Sequence, residues 1–343
     1  NIYAGYALAN LELSDAFTLN LGVRVEVTDF DAQGFLVQEL DDSTIFFGDL
    51  VTDSVAVVET NESNNYTDVL PAISARFEAT DDLILRAAYS RTLARPTIGQ
   101  AVPSSEIEID DEDEVVGAFV GNPDLDRQLS DNIDASFDYY VSDSFIISGG
   151  VFYKSFTDFI ATVAFEDGGT AFGIEFDEIE ETAININDAD LIGFEVSAEK
   201  VFSGLPAPFD GLLVGGNFTY VDGEATFGGR TIPLPQLSET LGSLVVGYDK
   251  YGLDLRAALS YRDERLDNIN EGGEGIDRFI DDNIQLDITA KYDLTDQLTL
   301  TAEAQNVTNE PFEAFLQLPD GRRGLSQFEE YGVTYRFGLR YTY

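Results

Sequence analysis

The sequence predicts an all-β fold, a transmembrane antiparallel β-barrel wall of about thirteen strands, on three observations. The first is the last thirteen residues, Tyr331-Gly-Val-Thr-Tyr-Arg-Phe-Gly-Leu-Arg-Tyr-Thr-Tyr343, whose odd positions are all apolar or aromatic and whose even positions are all small or polar. A period of two puts these sets on opposite faces of one strand, and roughly 9–11 residues suffice for a tilted strand to cross a bilayer. The second is that the same alternation recurs along the chain, with short turns and long polar segments strictly taking turns, as in barrels with short turns on one side of the membrane and long loops on the other. The third is that no run approaches the roughly 18 apolar residues of a spanning helix. Mean hydropathy is −0.08, a value that suits a β-barrel because each outward residue is averaged with an inward one.

Taken in order, residues 1–12 read as a strand and Ser14-Asp15 as a tight turn into the alternating Phe17–Val27. A long polar stretch to about Asn65 precedes strands Tyr66–Ala79 and Leu83–Arg95, joined by Thr80-Asp81-Asp82. Segment 96–127 is polar, and strands Leu129–Val141 and Phe145–Phe159 flank a turn at Ser142-Asp143. Segment 160–181 reads as a loop, Thr182–Phe202 as one long strand, Ser203–Phe209 as a connector and Leu212–Val221 as a strand. After polar 222–235 come Leu237–Tyr248, a turn at Asp249-Lys250, and Tyr251–Arg262. Loop 263–277, strand Phe279–Tyr292, a turn at Leu294–Asp296, strand Leu298–Val307, loop 308–328 and the terminal strand complete the chain. The first and last strands both run toward the short-turn side. A closed barrel of this kind has an even strand number and no free edge. The expectation is therefore that the chain is the C-terminal part of a larger protein whose numbering begins inside it.

Composition removes several function classes. The 343 residues contain no Cys, His or Met, so thiolate or imidazole metal sites, a cysteine nucleophile and Ser-His catalysis have no residues to use. An enzyme is not expected. The formal charge of −45, from 64 acidic against 19 basic residues, lacks the basic footprint that nucleic acid requires. It suits a surface bathed in salt or divalent cations.

Several stretches together carry a family resemblance: Tyr66-Thr-Asp-Val-Leu-Pro71, Leu85-Arg-Ala-Ala-Tyr-Ser-Arg-Thr-Leu-Ala-Arg-Pro96, Gly121-Asn-Pro-Asp-Leu125, Ser130-Asp-Asn132 and Val151-Phe-Tyr-Lys154 with Phe159-Ile160. Ile192-Gly-Phe-Glu195, Gln305-Asn-Val-Thr-Asn-Glu-Pro311 and the terminal strand continue the series. In order and spacing the chain resembles the C-terminal barrel of TonB-dependent outer-membrane receptors, in the style of the alphaproteobacterial and xanthomonad branch. The resemblance implies the last thirteen strands of a 22-strand barrel over 1–343, with a plug domain and the first strands lying outside this chain. It implies a bacterial outer-membrane location with long loops extracellular, lipid and lipopolysaccharide around the wall, and TonB acting through the plug. The implied function is active uptake of a scarce substrate, a carbohydrate first and a ferric siderophore second. A passive porin and a structural or adhesive barrel in an assembly with a surface lipoprotein are the alternatives. The terminal row Phe337, Leu339, Tyr341 and Tyr343 resembles the signal that the barrel-assembly machinery reads.

Candidate sites lie in the long segments. Phe119, Phe172, Phe279 and Phe315 are loop aromatics that either stack on a ligand or pack the loops. Glu106–Glu114 holds seven carboxylates in nine residues, centred on Asp110, Asp111, Glu112 and Asp113. Clustered carboxylates suit Ca²⁺, but the run lacks the spacing and glycine of an EF-hand loop, so a solvated charge run is the stronger expectation. No other cofactor and no catalytic residue is expected. Arg256, Arg262, Arg336 and Arg340 occupy the polar rows of their strands, where they meet a plug, an anionic substrate or carboxylates of the wall.

Overall fold

Side-chain alternation and strand register together decide which face of the sheet meets lipid. The computed structural model describes residues 1–39, 51–52, 55–102, 105–109, 115–165, 169–171, 174–176, 179–271, 273 and 275–343. Thirteen strands pair in chain order into one antiparallel sheet. They are β1 Ile2–Ser14, β2 Phe17–Glu39, β3 Val55–Thr80, β4 Leu83–Ala94, β5 Gln128–Ser142, β6 Phe145–Thr157 and β7 Ala189–Phe202. The sheet continues through β8 Leu212–Phe227, β9 Thr240–Lys250, β10 Leu253–Arg262, β11 Asn283–Thr295, β12 Leu298–Gln305 and β13 Thr334–Tyr341. Strands β1 and β13 are its two edges.

Residues directly opposite across an antiparallel pair share a face, so one row can be followed across the sheet. Starting from β13, Leu339 lies opposite Leu300, which faces Tyr292, Leu253 and then Lys250. Higher on the same face, Leu259 meets Leu244, which meets Gly216 and then Ala198, Ile147 and Tyr139. This face carries large exposed apolar groups on nearly every strand, including Val25, Ile73, Phe137, Val196, Leu244 and Phe337. On the short-turn side it ends in aromatics: Phe17 and Phe77, Tyr139, Phe145, Phe202, Tyr248, Tyr292 and Tyr341. An apolar band closed by an aromatic girdle is a lipid-facing surface. The opposite face presents Asn20 to Ser74, Arg76 to Arg86, Asn217 to Ser243 and Glu303 to Arg336. That face is polar and lines a lumen. Among the described residues no helix is long and apolar enough to cross a membrane.

The expected wall of thirteen strands is present, and its long segments are more ordered than a polar composition suggests. The stretch after Val27 continues β2 to Glu39 and pairs, without a break in register, with Val55–Asn65 of an extended β3. Segment 160–181 holds strand Phe159–Phe165, which pairs with Ile179–Ile186. The single strand expected over Thr182–Phe202 is therefore two, separated at Asn187-Asp188. Likewise Asp158 adopts φ 57° and ends the wall strand expected to reach Phe159. The segment after Val221 continues β8 to Phe227, which turns back on Arg230–Pro233 through Gly228 and Gly229, both at positive φ. Strands Arg265–Asn268, Asp277–Ile280, Phe312–Gln317 and Arg323–Glu329 form a four-stranded sheet in place of two loops. Phe279 and Ile280 belong to that sheet, so the wall strand begins at Asn283.

Two turns also differ. Lys250 pairs with Leu253, and Tyr251 and Gly252 have φ 57° and 76°, the left-handed pair a two-residue hairpin needs. The expected turn at Asp249-Lys250 is thus displaced by two residues. Regular pairing of the terminal strand starts at Thr334, because Gly332 at φ 72° bends the chain before it.

The conventional hydrophobic core lies outside the membrane band. Leu191 and Val221, on the lumenal face near the loop-side ends of β7 and β8, join Val163, Ile186, Leu266, Ile269, Phe279 and Phe315 in one buried cluster. The long segments fold inward over the lumen here, and the lumenal face changes from polar to apolar where they cover it.

Candidate functional site

The lumenal mouth is assembled from the resembling motifs, beginning with two arginines that bracket segment 96–127. Arg95 follows β4 and Arg127 precedes β5, and both turn back over the lumenal face of β2 and β3. Arg127 donates three hydrogen bonds to the Asp68 carboxylate at 2.8, 3.0 and 3.2 Å. Arg95 donates to Glu26 and, at 2.9 Å, to the Thr28 hydroxyl. The Tyr66 ring lies 4.8 Å from the Arg127 guanidinium and 6.0 Å from that of Arg95, a distance range in which the ring quadrupole attracts a cation. Glu26, Thr28 and Asp68 are buried, so each charge is removed from water only in the company of its opposite.

Between the arginines the segment is fastened at its ends. Thr97 and Gln100 form a capping box on the short helix Ile98–Ala101. Asn122 donates from its backbone to the Gln100 carbonyl and from Nδ2, at 2.9 Å, to the Ala183 carbonyl. Gly121 is required by close approach: a Cβ there would sit 2.1 Å from the Val102 carbonyl oxygen. Asn185 accepts from the Asp126 backbone and donates to the Asp126 and Asp158 carbonyls. The Gly121–Leu125 motif is therefore a joint between two long segments.

Among the described residues three cavities open at the mouth. One of about 160 Å³ lies beside Tyr66, Arg95, Pro96 and Leu125. A second, about 490 Å³, lies by Arg262, Asp281, Asp282, Glu310 and Tyr331. The third, about 410 Å³, is lined by Thr162, Glu181, Gln236, Asp267, Glu271 and Arg278. In it Arg278 pairs with Asp267 and lies 3.4 Å from Glu271. Burial pushes the Glu271 carboxyl above the ordinary glutamate range, with Arg278 opposing the shift. A carboxyl raised on folding binds its proton more tightly in the folded state, so stability is lost as pH rises from the ordinary glutamate value through the shifted one. Glu271→Gln should therefore raise hydrogen-exchange protection of 265–280 at neutral pH and flatten its pH dependence. Equal protection in both proteins at neutral pH would contradict this.

The sequence-predicted residues fall unequally. Phe279 and Phe315 are each 7% exposed and stack on one another at 5.9 Å with planes 8° apart. The Arg323 guanidinium lies 4.1 Å from the Phe315 ring while donating to both Glu264 carboxylate oxygens at 2.7 and 2.9 Å. Both rings belong to the buried cluster of the loop strands. Phe119 lies on strand Val115–Val120, opposite Glu106 and Glu181. Phe172 and the acidic residues Asp110, Asp111, Glu112 and Asp113 lie outside the described residues. Among the described residues no group of three or more carboxylates is placed to hold a metal ion. Phe337, Leu339 and Tyr341 form the exposed outer row of β13, with Tyr343 exposed beyond its end. On the lumenal row, Arg336 reaches Glu303 at 3.6 Å and Arg256 reaches Asp254 at 3.8 Å, which is ion pairing within the wall. The Glu26, Asp68 and Arg127 grouping was not expected from the sequence; Asp68 and Arg95 stood inside resembling motifs, but nothing in their spacing shows that the segments meet.

Comparisons with known proteins agree with this architecture. An iron-regulated outer membrane virulence protein of Vibrio cholerae serotype O1 is 28% identical over 215 residues, 60% of this chain and 31% of that protein. The ferric yersiniabactin uptake receptor FyuA from Yersinia pestis superposes with a TM-score of 0.63 at 15% identity, over 99% of this chain and 45% of that one. The siderophore receptor PiuA from Acinetobacter baumannii gives a TM-score of 0.64 at 14% identity, over 100% and 43% of the two chains. At these identities the solved structures establish the fold alone. This chain spans less than half the length of each of these three proteins. Residues 1–307 match the family described as TonB dependent receptor-like, beta-barrel, and the chain belongs to that family of outer-membrane barrels.

Proposed function

We propose that this chain forms the barrel wall and mouth of a receptor that takes up a scarce substrate across the bacterial outer membrane, driven by TonB through a plug domain. The observation that carries the reading is the family match over residues 1–307. The two-faced wall and the loop core folded over its lumen are consistent with it. The mechanism requires capture and passage rather than bond chemistry, so the protein is a transporter and not an enzyme. A ferric siderophore is the preferred substrate, supported by relatives whose names specify iron-regulated expression or siderophore uptake. A carbohydrate is the second reading, favoured by the carboxylate- and amide-lined 410 Å³ cavity, whose groups suit hydroxyl recognition. Recognition of the β13 row by the barrel-assembly machinery, and any surface lipoprotein partner, belong to the same proposal.

Uptake of radiolabelled ferric siderophores and of labelled oligosaccharides by cells carrying the full-length receptor tests it. The expected result is accumulation of a ferric siderophore that disappears when TonB is deleted. Accumulation of an oligosaccharide alone would move the substrate to the second reading. Uptake unaffected by loss of TonB would replace the receptor with a passive porin.

A further inference from the structure

Lys200 is exceptional in a chain with 64 acidic residues and 19 basic ones. It lies on β7 opposite Val214 and Phe145, hence on the lipid-facing side. It stands at the level of the aromatic girdle near the short turns. Its ammonium is 5.0 Å from the Phe145 ring and 5.2 Å from the Phe202 ring. Among the described residues no carboxylate lies within ion-pairing distance of it. Glu199, its neighbour in sequence, points to the lumen.

The adjoining turn is also distinctive. The other described turns on this side have two-residue tips, as at Asp81-Asp82 and Asp296-Gln297, whereas β7 and β8 are joined by nine residues, Ser203–Gly211. Leu205 and Phe209 on that turn are 39% and 61% exposed. Its one carboxylate, Asp210, is held by Lys250 at 3.0 Å and by the Tyr251 hydroxyl at 3.0 Å, so its charge is answered locally.

We propose that Lys200, flanked by Phe145 and Phe202, forms a binding site for the headgroup phosphate of an anionic phospholipid in the periplasmic leaflet. An ammonium on an apolar wall at interfacial depth extends toward charged headgroups. The two aromatic rings fix its direction, and a phosphate supplies the anion that the protein does not. The adjoining turn adds no unanswered carboxylate to compete with a phosphate, because its one acidic group, Asp210, is held by Lys250 and Tyr251. The inference rests on the barrel orientation and is independent of the transported substrate.

The test is native mass spectrometry of the full-length receptor released from bilayers containing equal phosphatidylglycerol and phosphatidylcholine. Retention of phosphatidylglycerol over phosphatidylcholine is expected, falling at least fivefold in Lys200→Gln and persisting in Lys200→Arg. Lys154→Gln, which alters a lumenal lysine, should leave retention unchanged. Inorganic phosphate added to the same sample distinguishes a bare anion site, which it would empty, from a lipid site, which it would not. Equal retention of the two lipids, displacement by free phosphate, or undiminished retention in Lys200→Gln would overturn the proposal.

Discussion

Replacing Leu244 with arginine should destabilise the full-length protein in phospholipid vesicles by about 2–4 kcal/mol, the cost of a cation on the lipid face near the bilayer midplane. Ser243→Arg, one residue away, should cost well under half of that. Leu244 is 47% exposed in the middle of β9, with Leu259 and Gly216 on either side in the same row. The surroundings of a new guanidinium there are acyl chains. Ser243 lies between Ser260 and Asn217, which hydrogen-bonds to it at 2.6 Å. An arginine there enters a lumen already lined with charges. Equilibrium unfolding by urea reads both variants, and equal losses would mean that the faces do not differ in solvent.

The second large effect is expected at Asp68. Its side chain is 4% exposed and its partner Arg127 is 20% exposed. Asp68→Ala strands a guanidinium that the fold has largely desolvated, and removing one partner of a buried pair costs about 3–5 kcal/mol. The partial exposure of Arg127 favours the lower end. Proteolysis should then cut within 96–127, because Arg127 anchors one end of that segment. Replacing both residues together, as Asp68→Leu with Arg127→Met, should recover a large part of the loss, since no uncompensated charge remains. A double variant as unstable as the sum of two single ones would show that the pair acts by other contacts.

How much of this was legible in the sequence depends on which force shapes each part. In the wall, lipid and lumen impose a period of two, and β10 states it openly in Leu253, Leu255, Ala257, Leu259 and Tyr261. That is why thirteen strands were readable one by one. The long segments answer to each other instead of to a bilayer. Phe279 and Phe315 lie 36 positions apart in sequence and become a stacked pair only because Asp277–Ile280 and Phe312–Gln317 are neighbours in space. The extension of β2 and β3 beyond Val27 was hidden for a related reason. Asp29, Asp31, Glu59 and Asn61 resemble loop composition, yet Asp29 pairs with Asn65 and Asp31 with Ser63 in the same unbroken register as the wall. The turn at Tyr251-Gly252 is concealed in the sequence because Asp249-Lys250 is the more polar pair, while the hairpin requires positive φ. Motif residues such as Asp68 and Arg95 stand inside stretches that carry the resemblance, whereas their partners Arg127 and Glu26 lie 59 and 69 positions away.

The inward fold of the long segments has a consequence for the receptor. Because Leu191 and Val221 of the wall share one core with Leu266 and Phe315 of the mouth, part of the mouth is built into the barrel rather than attached as a free loop. The cavities beside Glu271 and Arg262 are lined by residues of these same strands and the segments between them.

The central claim is that this sheet separates lipid from a polar lumen, and nitroxide scanning of 241–247 in the full-length protein tests it most directly. Labels at 242, 244 and 246 should collide preferentially with oxygen, which concentrates in the acyl region, and those at 241, 243, 245 and 247 should show less access to it. A period of two over these seven positions is the predicted result. Uniform accessibility along β9, or alternation with the opposite phase, would contradict the wall, its orientation and the receptor built on them.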